Sequence, residues 1–443
     1  MISPDDRFWV RSGSEFRPIV ETTLFVIPVA DWDERRFLVI YGEAPCEELD
    51  TENEDEYSNK IFSALREHAA SMADDTWKLH LDRDWKVDTE QGALENHYEP
   101  VQTFYPRLED CPELAHFAVI SRNHMVEVDR LHSQIDNCYY KTSDFAKKFV
   151  VFKYFLISEQ SEMVWNELQI WSSIPPHPFI ARFDRIVVEE SDDSRVVGFT
   201  INYISGSNLK DNPRSLVKFK WLQQLIQVVD DLNLKYGIWH RDIHPRNILI
   251  DSDRNDSIQL IDFNFALRFG QLFHGQPRHE DFTRADTIGV VFTLYELITR
   301  DYHHRSDVWD YPNVRIIMDL PEWKVHPEVV LDHDIGMFRH ELSTWLSKRQ
   351  SRGFIQHYDE CPEHIGSSKD IPRPPTYSVP IYNMAGEVTE NMEAEPRTAA
   401  EFHRLGLPVV EWKRPAQDKL EKSKLYLANG KALEGVAKAN LEW

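Results

Sequence analysis

Two apolar runs open the pattern. TTLFVIPVA and RRFLVIYG (35–42) are rich in β-forming residues, and the turn-like DWDE between them predicts a hairpin. Beyond the acidic stretch EELDTENEDEY (47–57) the period changes, and Ile61, Leu65, Ala69 and Met72 recur at helical spacing on one face. The acidic residues fit a solvated loop and helix start, where negative charge suits the helix dipole; a partner-binding role is the alternative. From 116 to 205 the runs HFAVIS, MVEVDRL, NCYYK and KKFVVFKYFLI read as strands, with one helix over 160–172. From Leu216 the pattern is mostly helical, broken by a short strand pair around 248–262. A Pro-rich linker of extended character, SSKDIPRPPTYSVP, follows residue 366. The stretch 416–442 has helical composition, and no internal repeat is evident.

Composition narrows the class. With 443 residues the chain can hold two or three domains, or one two-part catalytic unit with extensions. A formal net charge of −24 argues against a general nucleic-acid or anionic-membrane binder, which needs a basic footprint. Cys46, Cys111, Cys138 and Cys361 are far apart and form no CxxC, which fits buried free thiols in a reducing compartment. No stretch approaches the ~20 apolar residues of a membrane span, and the N-terminus lacks the apolar core of a signal peptide. The expectation is a soluble intracellular protein, cytoplasmic or nuclear, without nucleic-acid or membrane partners; no pattern fixes an oligomeric state.

The chemistry concentrates in HRDIHPRNILID (240–251) and LIDFNFA (260–266). Phosphoryl transfer needs a carboxylate to orient the acceptor hydroxyl, oxygen ligands for Mg²⁺, and positive charge on the phosphates. Asp242 can supply the first, and Asn247 with Asp262 the second. His240-Arg241-Asp242 with Asn247 matches the catalytic loop H-R-D-x-x-x-x-N of the eukaryotic-type protein kinase superfamily, which the chain resembles over roughly residues 126–350.

That resemblance implies an α+β, two-lobed protein-kinase-like fold. A β-rich small lobe would occupy 116–205 and an α-rich large lobe 206–350. An N-terminal α/β extension would fill 1–115, and a Pro-containing linker and C-terminal tail 351–443. It implies ATP and Mg²⁺ as cofactors. Lys153 in VVFKYF resembles the family's phosphate-holding strand lysine, although a lysine there could also merely snorkel from a strand. Glu167 is its implied partner, with Glu162 as the rival. FTINYISGSNL (199–209) resembles the hinge, with Ile201 as gatekeeper and the backbone of Asn202 and Ile204 on adenine. Asp286 resembles the buried aspartate that holds the catalytic-loop backbone; it scaffolds and does not react. His240 resembles a packing residue, and Arg241 the arginine that answers a phosphorylated activation loop.

Several departures qualify the resemblance. LHSQIDNCYYK (131–141) has no glycine where the family's phosphate-covering loop is Gly-rich, which predicts weaker or differently shaped nucleotide binding. D-F-G has become Asp262-Phe263-Asn264, a tolerable exchange because Asn is among the residues that best accept positive φ. The segment between Asp262 and Asp286 is short, and Thr283 is its one hydroxyl side chain. His244 stands where serine/threonine kinases usually place Lys; it could donate a hydrogen bond with pH sensitivity. Arg246 resembles the tyrosine-kinase pattern. The pair His303-His304 reads as solvated. Three readings stand: a kinase acting on a protein or on itself, a pseudokinase serving as an ATP-binding interaction module, and a small-molecule kinase resembling aminoglycoside or choline phosphotransferases.

Overall fold

The computed structural model describes residues 2–19, 22–45, 54–92, 101–189, 194–271, 282–305, 313–352, 355–383, 388–421 and 424–437. Cys46, most of the acidic stretch and the segment 272–281 lie outside them. The chain packs as two compact units, Met1–Glu162 with Asp184–Thr200 and Ile371–Trp443, and Met163–Phe183 with Ile201–Asp370.

Among the described residues the first unit contains two large sheets and a two-stranded one, Tyr377–Tyr382 against Val388–Ala394. The expected hairpin forms from the strands Thr22–Asp31 and Arg36–Pro45, paired from Thr22↔Pro45 to Asp31↔Arg36. It is the centre of a six-stranded sheet. Helix α1 (Glu54–His68) packs Tyr57, Ile61, Ala64 and Leu65 into the core that this sheet shares with Phe25, Ile27, Leu38 and Ile40. Ala69 and Met72, expected on the same helical face, reach that core from just beyond the helix end.

The second sheet has eight strands. Its centre is the antiparallel run Val126–His132, Ile135–Lys141 and Lys147–Tyr154, with Arg195–Asn202 beside the last. One edge corrects the sequence reading. The helical composition of 416–442 gives instead the strands Lys424–Leu427 and Ala432–Ala437, the former pairing Tyr426 with Glu127. Helix propensity is a weak preference, and a sheet edge overrides it by burying Leu425 against Val126 and Tyr139.

A buried ionic network ties three distant segments of this unit. Arg414 reaches Glu127 and Asp136, each at 2.8 Å. Arg130 holds Glu127 at 2.8 Å and Asp33 at 2.5 Å, and Arg35 pairs with Asp136. Burial would raise the Glu127 carboxyl, but Arg414 and Arg130 hold it down at about 2. Desolvating such charges is costly, and the geometry repays the cost only while every partner is present.

The second unit is mainly helical. It holds the body of α2 (Ser158–Ser173), α3 (Phe219–Asp230) and α4 (Phe282–Thr299). α4 is buried on all sides at Val290, Val291, Phe292, Leu294 and Ile298, as a central helix must be. α3 runs into a π-helical turn, Asp231–Tyr236, that ends at Gly237 with φ +73°. A Cβ there would lie 2.8 Å from Tyr358 Cα, so glycine is needed for both the turn and the contact. The short strand pair appears as Ile248–Asp251 against Ser257–Leu260. No helix among the described residues is long and apolar enough to cross a membrane.

Candidate active site

The site in the second unit grows from α4. Asp286 is fully buried, and its carboxylate accepts from His240 N at 2.9 Å, Arg241 N at 2.7 Å and Asn233 Nδ2 at 2.8 Å. A buried carboxylate satisfied by three donors is a rigid anchor. It holds Arg241 at φ +65°, a conformation that costs free energy without such support. One turn on, Gly289 lets the loop approach: a Cβ would sit 2.7 Å from Ile243 Cβ and 2.9 Å from its carbonyl oxygen. That carbonyl accepts from Thr293 Oγ1 and Arg305 Nη1, each at 3.2 Å. Arg305 is itself fixed by Glu296 at 2.6 Å.

On this anchored loop, Asp242 Oδ2 accepts from Asn247 Nδ2 and from Arg246 Nη2, both at 2.7 Å. Asn247 Nδ2 also donates to Asp242 O at 3.0 Å. With its amide nitrogen committed to Asp242, Asn247 turns its amide oxygen the other way, and a carbonyl oxygen is a suitable ligand for a hard cation. Ile261 N donates to Asn247 O at 3.0 Å, which brings the residue before Asp262 to the same loop. His240 joins the two segments: its Nδ1 accepts from Asp242 N at 3.3 Å, so its Nε2 donates to Ile261 O at 3.1 Å.

Asp262 has φ +69°, a second non-glycine residue in the left-handed region within the site. Phe263 behind it is buried against Trp171 and His240, at ring distances of 4.9 and 4.7 Å. Its N–H donates to Glu167 Oε1 at 2.9 Å, so α2 and the Asp262 segment are linked through the carboxylate expected to matter.

Residues 134–316 match the protein kinase domain. Over these residues the chain is similar to the protein kinase superfamily, whose fold is two-lobed. It is similar to calcium-dependent protein kinase 11 of Arabidopsis thaliana, 25% identical over 38% of this chain and 33% of the relative. A serine/threonine-protein kinase-like protein of the same plant is 31% identical over 34% of this chain and 42% of its own length. CBL-interacting serine/threonine-protein kinase 2, also from Arabidopsis thaliana, is 29% identical over 43% of this chain and 41% of the relative. The chain thus spans less than half the length of these relatives.

The remaining expected kinase residues fall as follows. Lys153 belongs to the first unit, buried on the strand Lys147–Tyr154. In place of a glycine-rich cover that unit has a tight turn at Ser133-Gln134, with Gln134 at φ +58°. Gln134 is tied down: its carbonyl accepts from Tyr154 N at 3.1 Å, its Oε1 accepts from Leu156 N at 2.7 Å, and its Nε2 donates to Gln160. In the second unit Asn202 N is spent on Arg182 O at 2.8 Å. Gly206 follows because a Cβ there would lie 1.7 Å from Ile250 O.

Two readings need correction. His244 is not pH-sensitive near neutrality: burial, with Arg305 and Arg246 nearby, pushes it down to about 3. It is a neutral ring whose Nδ1 accepts from Arg246 N at 3.2 Å. Of the pair His303-His304, His303 is solvated as expected but His304 is only 20% exposed, and both rings turn to Asp301. Thr283 lies in the first turn of α4 by its backbone. The reading also missed the loop's supports. Arg246 carried a local signal, four residues past Asp242; Arg305 is 62 residues from Ile243 and carried none.

Proposed function

We propose that this chain is a protein-kinase-type phosphotransferase that moves the γ-phosphoryl group of Mg–ATP to a hydroxyl of a protein acceptor or of itself. The observation that carries the reading is Asp242 held by Asn247 on a loop whose backbone is capped by buried Asp286. An acceptor hydroxyl would be oriented by the Asp242 carboxylate, which takes its proton as the bond to phosphorus forms. The oxygen-only set Asn247 and Asp262 fits Mg²⁺, and Asn264 Oδ1, buried without a partner among the described residues, leaves polar capacity beside it. Bound Mg–ATP supplies the transferable phosphoryl group and the metal charge that offsets it. Lys153 would serve as the family's phosphate-holding lysine, and His244 would offer a neutral N–H toward the phosphate.

Calorimetry of Mg–ATP binding tests the metal assignment. Asp262→Ala is expected to lose metal-dependent nucleotide binding. Unchanged Mg–ATP affinity in that variant removes Asp262 from the site.

The pseudokinase reading has one specific observation in its favour. The turn at Ser133-Gln134 is anchored by the Gln134 side chain and lacks the glycines that let backbone N–H groups approach phosphates. On that reading the nucleotide binds and is not turned over.

A further inference from the structure

We propose that Ser368 is a phosphorylation site, and that its phosphate pairs with Arg268 to fasten residues 366–369 onto α2. The proposal rests on the kinase reading only for its consequence, since α2 carries Glu167. All the groups involved lie in the second unit.

Residues 366–369 already form a strap along α2. Lys369 N donates to Gln169 Oε1 at 2.7 Å, and Lys369 O accepts from Gln169 Nε2 at 2.6 Å and from Trp165 Nε1 at 3.3 Å. Ser368 Oγ accepts from Arg268 Nη1 and donates to Asn166 Oδ1 at 3.3 Å. Asn166 Nδ2 in turn donates to Ala266 O at 2.9 Å. One knot therefore joins the strap, α2 and the chain four residues past Asp262.

Arg268 is the unusual member. It is 2% exposed, and its partners Gly366 O, at 2.6 Å from Nε, and Ser368 Oγ are both uncharged. Among the described residues it has no carboxylate partner. A buried guanidinium without an anion is costly, and burial lowers its pKa to about 10. Every other arginine named above as buried in the first unit's network is paired with a carboxylate. The missing counter-charge sits one bond away from being supplied, because the atom facing Arg268 is a serine hydroxyl. That serine is half-buried, while Gly366, Ser367 and Lys369 are exposed, so the strap can be reached by a modifying enzyme.

In the step proposed, Ser368 Oγ forms its bond to the γ-phosphorus of ATP as the bond from that phosphorus to the β–γ bridging oxygen breaks. ADP leaves with the electron pair, and the hydroxyl proton passes to the carboxylate base of the kinase acting on Ser368. The resulting dianion offers Arg268 charge-assisted hydrogen bonds in place of a neutral one. Fixing the strap fixes α2, and with it the Glu167 contact to Phe263 N.

The test is the full chain with phosphoserine incorporated genetically at position 368, compared with the unmodified chain by hydrogen exchange of 163–173. Exchange there is expected to slow by about fivefold or more, and the slowing is expected to vanish when Arg268→Gln is added. Should Arg268→Gln not fold, Arg268→Lys serves, with partial loss expected. Unchanged or faster exchange with phosphoserine overturns the proposal, as does slowing that survives the loss of Arg268. Exchange needs no turnover, so an inactive chain leaves this result standing, and a failure here leaves the kinase reading standing.

Discussion

Arg246 and Asp242 form an ion pair at 2.7 Å on the same carboxylate oxygen that Asn247 holds. Arg246 is nearly half exposed, so the pair is screened and adds little to stability. Its effect is orientational. Arg246→Ala is expected to leave Mg–ATP affinity within about twofold and to lower turnover about tenfold or more, the scale on which positioned acid–base groups act. Steady-state kinetics beside calorimetry checks this; turnover unaffected by the change removes Arg246 from the catalytic arrangement.

His244 gives a pH prediction with a definite sign. Its folded pKa, about 3, lies below the ordinary value of 6.5. The unfolded chain therefore binds a proton that the folded chain refuses between those values. Its effect on stability is flat above pH 6.5, and stability falls as pH drops from 6.5 toward 3. Urea midpoints measured across that range should fall less steeply in His244→Gln than in the wild type.

Gly289→Ala probes the anchoring of the catalytic loop. The added methyl would meet Ile243 within 3 Å, and α4 is too closely packed to retreat. The expected cost is about 1–3 kcal/mol, as for overpacking elsewhere, with turnover reduced more than nucleotide affinity. Thermal unfolding and kinetics on the same preparation separate the two effects.

Arg414→Ala probes the ionic network of the first unit. It strands Glu127 and Asp136 as buried carboxylates with fewer cations, and about 3–5 kcal/mol of destabilisation is expected. Denaturant titration reads it directly. A loss below about 1 kcal/mol would mean that water or the remaining arginines replace Arg414.

Some of this was legible in the sequence for physical reasons. The hairpin around DWDE follows from β-branched runs and a polar turn, both local signals. The juxtaposition of Asp242, Asn247 and the Asp262 segment was legible because short spacing on one loop and one hairpin constrains geometry. The strands at Lys424–Leu427 and Ala432–Ala437 were not, because Lys, Ala, Glu and Leu favour helix locally and only pairing with Val126–His132 decides otherwise. Asn233 on Asp286, Arg305 on Ile243 and Lys369 on Gln169 were also hidden, since each contact joins residues dozens to hundreds of positions apart and no local pattern marks them.

The most direct measurement is transfer from γ-labelled ATP with Mg²⁺, following label into the chain itself, into a generic protein acceptor and into water. The account predicts transfer by the wild type that disappears in Asp242→Asn, with nucleotide binding retained. Label transfer that persists in Asp242→Asn, or nucleotide binding without any turnover by the wild type, would contradict it.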